Sequence, residues 1–209
     1  MEEKTRADRG LVCQHLSDAT HLPYGLTTKH VQEAVTYVYG LVDGFNEFLD
    51  SKGYPRLEKL ILANSLSGII SEFIVVGLSN ACPTLARNSK VGGHPDLLLI
   101  GAHANDSVLK GEGIEVKASI HSGGWQGHNP EGGWIMAFRY EKPEKLPITF
   151  IEILAADLAP EDWKFSGRGP GSRRTPTASI LASGVKKLRE NPVYRVPGAA
   201  VGRKKKQLE

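Results

Sequence analysis

Glu115 and Lys117 stand two residues apart with Ile114 and Val116 interleaved, in the stretch Gly113-Ile114-Glu115-Val116-Lys117. That alternation is the period of a β-strand: both charged side chains leave one face and both branched apolar side chains the other. Such a segment requires a sheet with one packed face and another that is partly left to charge. A second stretch, Pro95-Asp96 followed by Leu97-Leu98-Leu99-Ile100, has the composition of a neighbouring strand, and the turn-rich connection from Gly101 to Gly113 suits a hairpin. Paired strands lie about 4.8 Å apart, so the Asp96 carboxylate is expected beside that of Glu115 with the Lys117 ammonium close by. Pro95 fits the first position of a strand, where its nitrogen owes no ladder hydrogen bond.

Two carboxylates and an amine on one face suit phosphodiester hydrolysis. Mg²⁺ is a hard ion that takes oxygen ligands and commonly binds through one or two carboxylates while keeping several waters. It neutralises phosphate charge and lowers the pKa of a bound water. A lysine beside it can orient or deprotonate that water, which an arginine cannot.

Pro95, Asp96, Glu115 and Lys117, with Val116 at the variable position, resemble the PD-(D/E)XK nuclease superfamily and its restriction-endonuclease-like fold. The resemblance covers the central part of the chain. It implies Asp96, Glu115 and Lys117 as catalytic residues, with Asp96, Glu115 and the Val116 backbone carbonyl as metal ligands. It also implies an acidic helper from an earlier helix, for which Glu72 in Ser71-Glu72-Phe73-Ile74 is the candidate. The metal implied is Mg²⁺, with Mn²⁺ as a substitute. Within the superfamily the size of the chain is most similar to a type II restriction endonuclease, which implies a homodimer cutting double-stranded DNA at a specific sequence and leaving a 5′-phosphate and a 3′-hydroxyl. Two other readings stay open. One is a structure-specific repair nuclease or junction resolvase of the same superfamily. The other is a non-catalytic DNA-binding protein, in which the same residues form only a cross-strand salt bridge.

A chain of 209 residues is expected to form one main domain and to bury roughly 70% of its unfolded surface without disulfide staples. Cys13 and Cys82 are too few for a secreted framework, which points to a cytoplasmic setting. The segment Met1 to Gly10 has no apolar signal core, and no stretch reaches the roughly 20 apolar residues of a membrane span, so no membrane partner is expected. P-loop and dinucleotide fingerprints are absent. His121, His128 and Asn129 lack the surroundings of an HNH nuclease, and His94 reads as a turn or core residue beside the motif.

The expected fold class is α/β, a central mixed β-sheet flanked by helices. Residues 1–25 form an amino-terminal segment, 26–198 a single nuclease domain and 199–209 a basic tail; within the domain, 26–89 are helical, 90–158 hold the catalytic sheet and 159–198 a basic loop and helix. Thr27 or Thr28 can cap a helix carrying Val31, Val35, Val38, Val42, Phe45 and Leu49 at helical spacing, ended by Gly53 and Pro55. A second helix is expected from Leu57 to Leu78. Strands are expected at Asp96 to Ile100, Gly113 to Ser119, Trp134 to Tyr140 and Ile148 to Leu154. The last element is read as a helix from Thr177 to Arg189, capped by Thr177 and closed by Asn191-Pro192.

Net charge is +3 and the isoelectric point about 8.8, too mild to prove nucleic-acid binding, so the distribution of charge matters more. Lys164, Arg168, Arg173, Arg174, Lys186, Lys187 and Arg189 gather late in the chain, ahead of the run from Arg203 to Lys206. Two loops are candidates for DNA contact. In the loop from Ser122 to Pro130, Gln126, His128 and Asn129 can reach base edges and Trp125 can pack on a sugar or base; the competing reading makes that tryptophan a plug of the core. In the loop from Ser166 to Thr175, Arg168, Arg173 and Arg174 offer guanidinium groups to phosphate or guanine.

Overall fold

The computed structural model of the protein describes residues 15–17, 20–127, 132–142, 147–167 and 177–199. Helix α1 (Thr28–Ser51) is started by Thr27, the one of the two candidate threonines whose side chain accepts from the His30 N–H, while the His30 ring accepts from the Thr27 N–H. Its buried stripe is Val31, Ala34, Val35, Val38, Tyr39 and Val42.

The expected helix over Leu57 to Leu78 is in fact two, α2 (Leu57–Leu60) and α3 (Ala63–Ala81), with extended backbone at Ile61 and Leu62 between them. The break has a tertiary cause. Asn46 of α1 accepts from the Leu57 N–H at 2.8 Å and donates to the buried Glu58, so α2 is fixed as a single turn before the chain turns into α3.

The strands are β1 (Leu85–Arg87), β2 (Leu97–Leu99), β3 (Gly113–Ser119), β4 (Gln126–Gly127), β5 (Gly133–Glu141), β6 (Thr149–Leu158), β7 (Trp163–Ser166), β8 (Thr177–Ile180) and β9 (Pro192–Arg195), with α4 (Ala182–Glu190) between the last two. Among the described residues β1-β2-β3-β5-β6-β9 form one mixed sheet in which β3 and β5 are parallel and the other neighbours antiparallel; β4-β8-β7 form a second, small sheet. The fold is therefore α/β with a mixed central sheet flanked by helices.

Thr177 to Ile180 is a correction. It is strand β8 paired to β7, not the start of the last helix, which begins only at Ala182. Ala178 and Ile180 are buried while Thr177 and Ser179 are half-buried, a period of two imposed by the pairing. Residues 15–17 and 20–25, set apart in the sequence reading, pack with the main domain. Leu16 bridges Tyr194, Ser17 donates to the Val193 carbonyl, and Leu22 is buried in the core. Residues 1–14 and the basic tail from 200 lie outside the described residues.

Both faces of the sheet are covered, which is why β5 and β6 read as nearly continuous apolar runs. Leu97, Ile114, Val116, Met136 and Phe138 face α1 and α3 in the larger core. Ile135, Ala137, Leu154 and Ala156 face the small sheet and α4 in a second core that also holds Trp125 and Trp163. Among the described residues no helix is long and apolar enough to cross a membrane.

Candidate functional site

Strand β3 outruns β2. The pairing of the two covers only Leu97 with Ile114 and Leu98 with Gly113, so from Glu115 onward one edge of β3 has no strand beside it among the described residues. Two N–H groups on that edge are taken by side chains instead. Val116 donates to Asp96 Oδ2 at 2.8 Å, and Ala118 donates to Ser71 Oγ of α3 at 2.9 Å. N–H and C=O of one strand residue point to the same side, so the Val116 carbonyl also faces the Asp96 side of the strand.

Register fixes the direction of the charged side chains. Glu115 pairs with Ile135 and Lys117 with Ala137, both members of the second core, so the acid and the amine leave the sheet on the side away from α1 and α3. Asp96 precedes Leu97, whose partner Ile114 faces the helices, and alternation turns Asp96 to the Glu115 side. The expected constellation of Asp96, Glu115 and Lys117 is brought together.

Its electrostatics are uneven. Burial and the Glu115 carboxylate push the Asp96 carboxyl up to about 7, against the opposing pull of the Val116 N–H and of Lys117. Burial also resists ionisation of Glu115, but the His94 ring and Lys117 more than offset it and hold that carboxyl down at about 2. His94 Nδ1 donates to Glu115 Oε2 at 2.8 Å, and Lys117 Nζ donates to Glu115 Oε1. His94 is thus part of the site. Its signal in the sequence was adjacency to Pro95-Asp96, but a loop residue has no periodicity from which its direction can be read.

Glu72 is exposed on α3 and pairs with Arg87 of β1 at 2.6 Å. A surface pair of this kind contributes only about 0–1 kcal/mol, so it opens easily. Glu72 lies near enough to add to the upward push on Asp96, and both acids line one cleft of about 590 Å³. Among the described residues no three His, Cys, Asp or Glu side chains form a ready metal cage. The donors present, Asp96, Glu115 and the Val116 carbonyl, are all oxygen, a set that fits an ion retaining most of its water.

Of the residues expected to touch DNA, Trp125 is corrected. It is buried against the second core, beneath β8, with its backbone carbonyl accepting from Ile180, and its ring has no face free for a base. The core-plug reading holds. Gln126 is exposed on β4 opposite Ser179. His128, Asn129, Arg168, Arg173 and Arg174 lie outside the described residues. Their anchors are adjacent: Gly127 pairs with Ala178, and Thr177 with Ser166, so both loops leave the same end of the small sheet. Two of the late basic residues have structural partners. Lys187 bonds the buried Asp162 at 2.5 Å, and Arg189 donates to the Ser122 carbonyl at 2.7 Å.

Comparison with known proteins adds no relative: no family model, no curated protein and no solved structure matches this chain.

Proposed function

We propose that the protein is a Mg²⁺-dependent endodeoxyribonuclease of the PD-(D/E)XK type that cuts double-stranded DNA at a specific sequence, as type II restriction endonucleases do. One observation carries the reading: Asp96, Glu115 and Lys117 converge at the edge of β3 that β2 leaves open, with Asp96 tied to the Val116 N–H. A structural salt bridge would account for Glu115 and Lys117. It would not account for a second, half-buried carboxylate crowded against Glu115 until its pKa rises to about 7.

In this reading Asp96, Glu115 and the Val116 carbonyl would hold Mg²⁺, with Mn²⁺ as the substitute, and Glu72 would add a further carboxylate in place of its pair with Arg87. The ion, when bound, supplies neutralisation of the phosphate and a water of lowered pKa. Lys117, held on Glu115, orients the attacking water on the line opposite the leaving oxygen. The new bond is water oxygen to phosphorus, the bond broken is phosphorus to the 3′-oxygen, and the products are a 5′-phosphate and a 3′-hydroxyl. His94 keeps the Glu115 carboxylate turned to its task. A two-fold dimer working in the cytoplasm on a palindromic site completes the proposal, because a symmetric assembly reads a symmetric sequence.

The test is digestion of methylation-free plasmid and phage DNA with and without Mg²⁺, using wild type, Lys117→Ala and Asp96→Asn. Discrete bands that need Mg²⁺ and vanish in both variants are expected. Cutting confined to branched or mismatched DNA would move the reading to a structure-specific nuclease. No metal-dependent cutting of any DNA would overturn it.

A further inference from the structure

Between β1 and Asp96 the chain makes a turn, Asn88 to Gly93, that the nuclease chemistry leaves unused. Its geometry is tightly determined. Asn88 donates through Nδ2 to the Pro95 carbonyl at 2.9 Å and the Val108 carbonyl at 3.0 Å, and accepts through Oδ1 from the N–H groups of Lys90 at 3.1 Å and Val108 at 3.2 Å. All four hydrogen-bonding positions of the amide are filled. The Gly93 N–H closes a turn onto the Lys90 carbonyl at 2.9 Å, with Gly92 at φ +69°, the third position of a type II turn. No side chain fits at Gly93, where a Cβ would lie 2.4 Å from the Val108 carbonyl oxygen. The Asn88 backbone N–H donates to the Asp96 carbonyl at 2.8 Å, so the turn is locked to the site's own acid.

This braced turn forms one wall of the cleft of about 590 Å³ that holds Asp96 and Glu72, and α3 forms the other through Val75. Lys90 is exposed on the turn and has no ion partner among the described residues, although Glu72 and Asp96 share its cleft. A cation held at the rim on a rigid turn and left unpaired is arranged for an anion from outside.

We propose that the Asn88–Gly93 turn is a preorganised wall for the DNA backbone, on which Lys90 contacts a phosphate flanking the scissile one. The proposal rests on the nuclease reading for the position of the scissile phosphate. The turn is braced before DNA arrives, so little ordering entropy is lost on contact.

The measurement is fluorescence-anisotropy binding of a labelled DNA duplex of about 25 base pairs to the full chain, without metal, across salt from about 50 to 200 mM. Wild type, Lys90→Ala and Lys90→Arg are compared. Loss of one phosphate contact lowers the slope of log K against log salt by about 1 and weakens binding across sequences, and arginine restores both. An unchanged slope in Lys90→Ala, with wild type still cutting DNA in Mg²⁺, overturns the turn proposal and leaves the nuclease reading intact. A slope that depends on Lys90 in a protein that never cuts DNA overturns the nuclease reading and keeps the turn as a phosphate contact. Failure of wild type to bind the duplex overturns both.

Discussion

On a free chain Asp96 would ionise below pH 4, whereas in the fold burial and its neighbour Glu115 keep it protonated up to about 7. A carboxyl raised in this way adds stability that is fully present below the unfolded pKa and is lost as pH rises through the folded one. The metal-free protein should therefore lose stability between about pH 4 and pH 8 through this one group, by roughly 2–4 kcal/mol. Asp96→Asn keeps an acceptor for the Val116 N–H and removes the charge. Its melting temperature should exceed that of wild type at pH 8 and match it near pH 4, as differential scanning calorimetry would show. An equal melting point at pH 8 would mean that Asp96 is not crowded. Under the proposed function, Mg²⁺ at pH 8 raises the melting point of wild type and leaves that of Asp96→Asn unmoved. Glu115 has the opposite sign: its depressed carboxyl contributes stability that is present above about pH 4.5 and lost as pH falls toward about 2. The pair was legible from letters because strand alternation fixes where Glu115 and Lys117 point. His94 was not, since its approach to Glu115 depends on the path of a loop.

Helices α1 and α3 are packed with Gly77 against Ala34, and a Cβ on Gly77 would stand 3.1 Å from the Ala34 backbone. This crossing seats α3 so that Ser71 reaches the Ala118 N–H and Glu72 reaches the cleft. Gly77→Val should push the helices apart and destabilise by about 1–3 kcal/mol, read as a lower urea midpoint with an unchanged slope. A midpoint equal to wild type would show that the crossing is slack. Helix α1 was visible in the sequence because one long amphipathic period and a capping threonine agree. The end of the chain misled for a physical reason. Leu181, Val185 and Leu188 fall at helical spacing, but Thr177 to Ile180 is claimed by pairing with Trp163 to Ser166, a partner that local periodicity cannot report. Pro192 does end α4, and it also opens β9 at the sheet edge, where a proline gives up nothing.

Across the whole molecule the sheet is tied by a row of charge: Arg139 of β5, Glu152 of β6 and Arg195 of β9 stand opposite one another on three adjacent strands. Glu152 is 1% exposed, lies 2.8 Å from Arg195 and 3.7 Å from Arg139, and Arg195 also reaches the Arg189 carbonyl of α4. Replacing the central acid leaves two guanidinium groups facing each other, so Glu152→Ala should lose about 3–5 kcal/mol in urea unfolding. A loss under about 1 kcal/mol would show that solvent reaches the row. Nothing in the letters joins these three residues, because only the register of the strands brings them into line. The bare edge of β3 has a further consequence for how separate molecules meet. An unpaired strand edge is a template on which a foreign strand can dock. Here Asp96 and Ser71 occupy the Val116 and Ala118 donors, so the acid proposed for the site also covers this edge against other copies of the protein. An alanine at either position would uncover adhesive backbone, and a preparation of either variant should cloud on storage while Asp96→Asn stays clear.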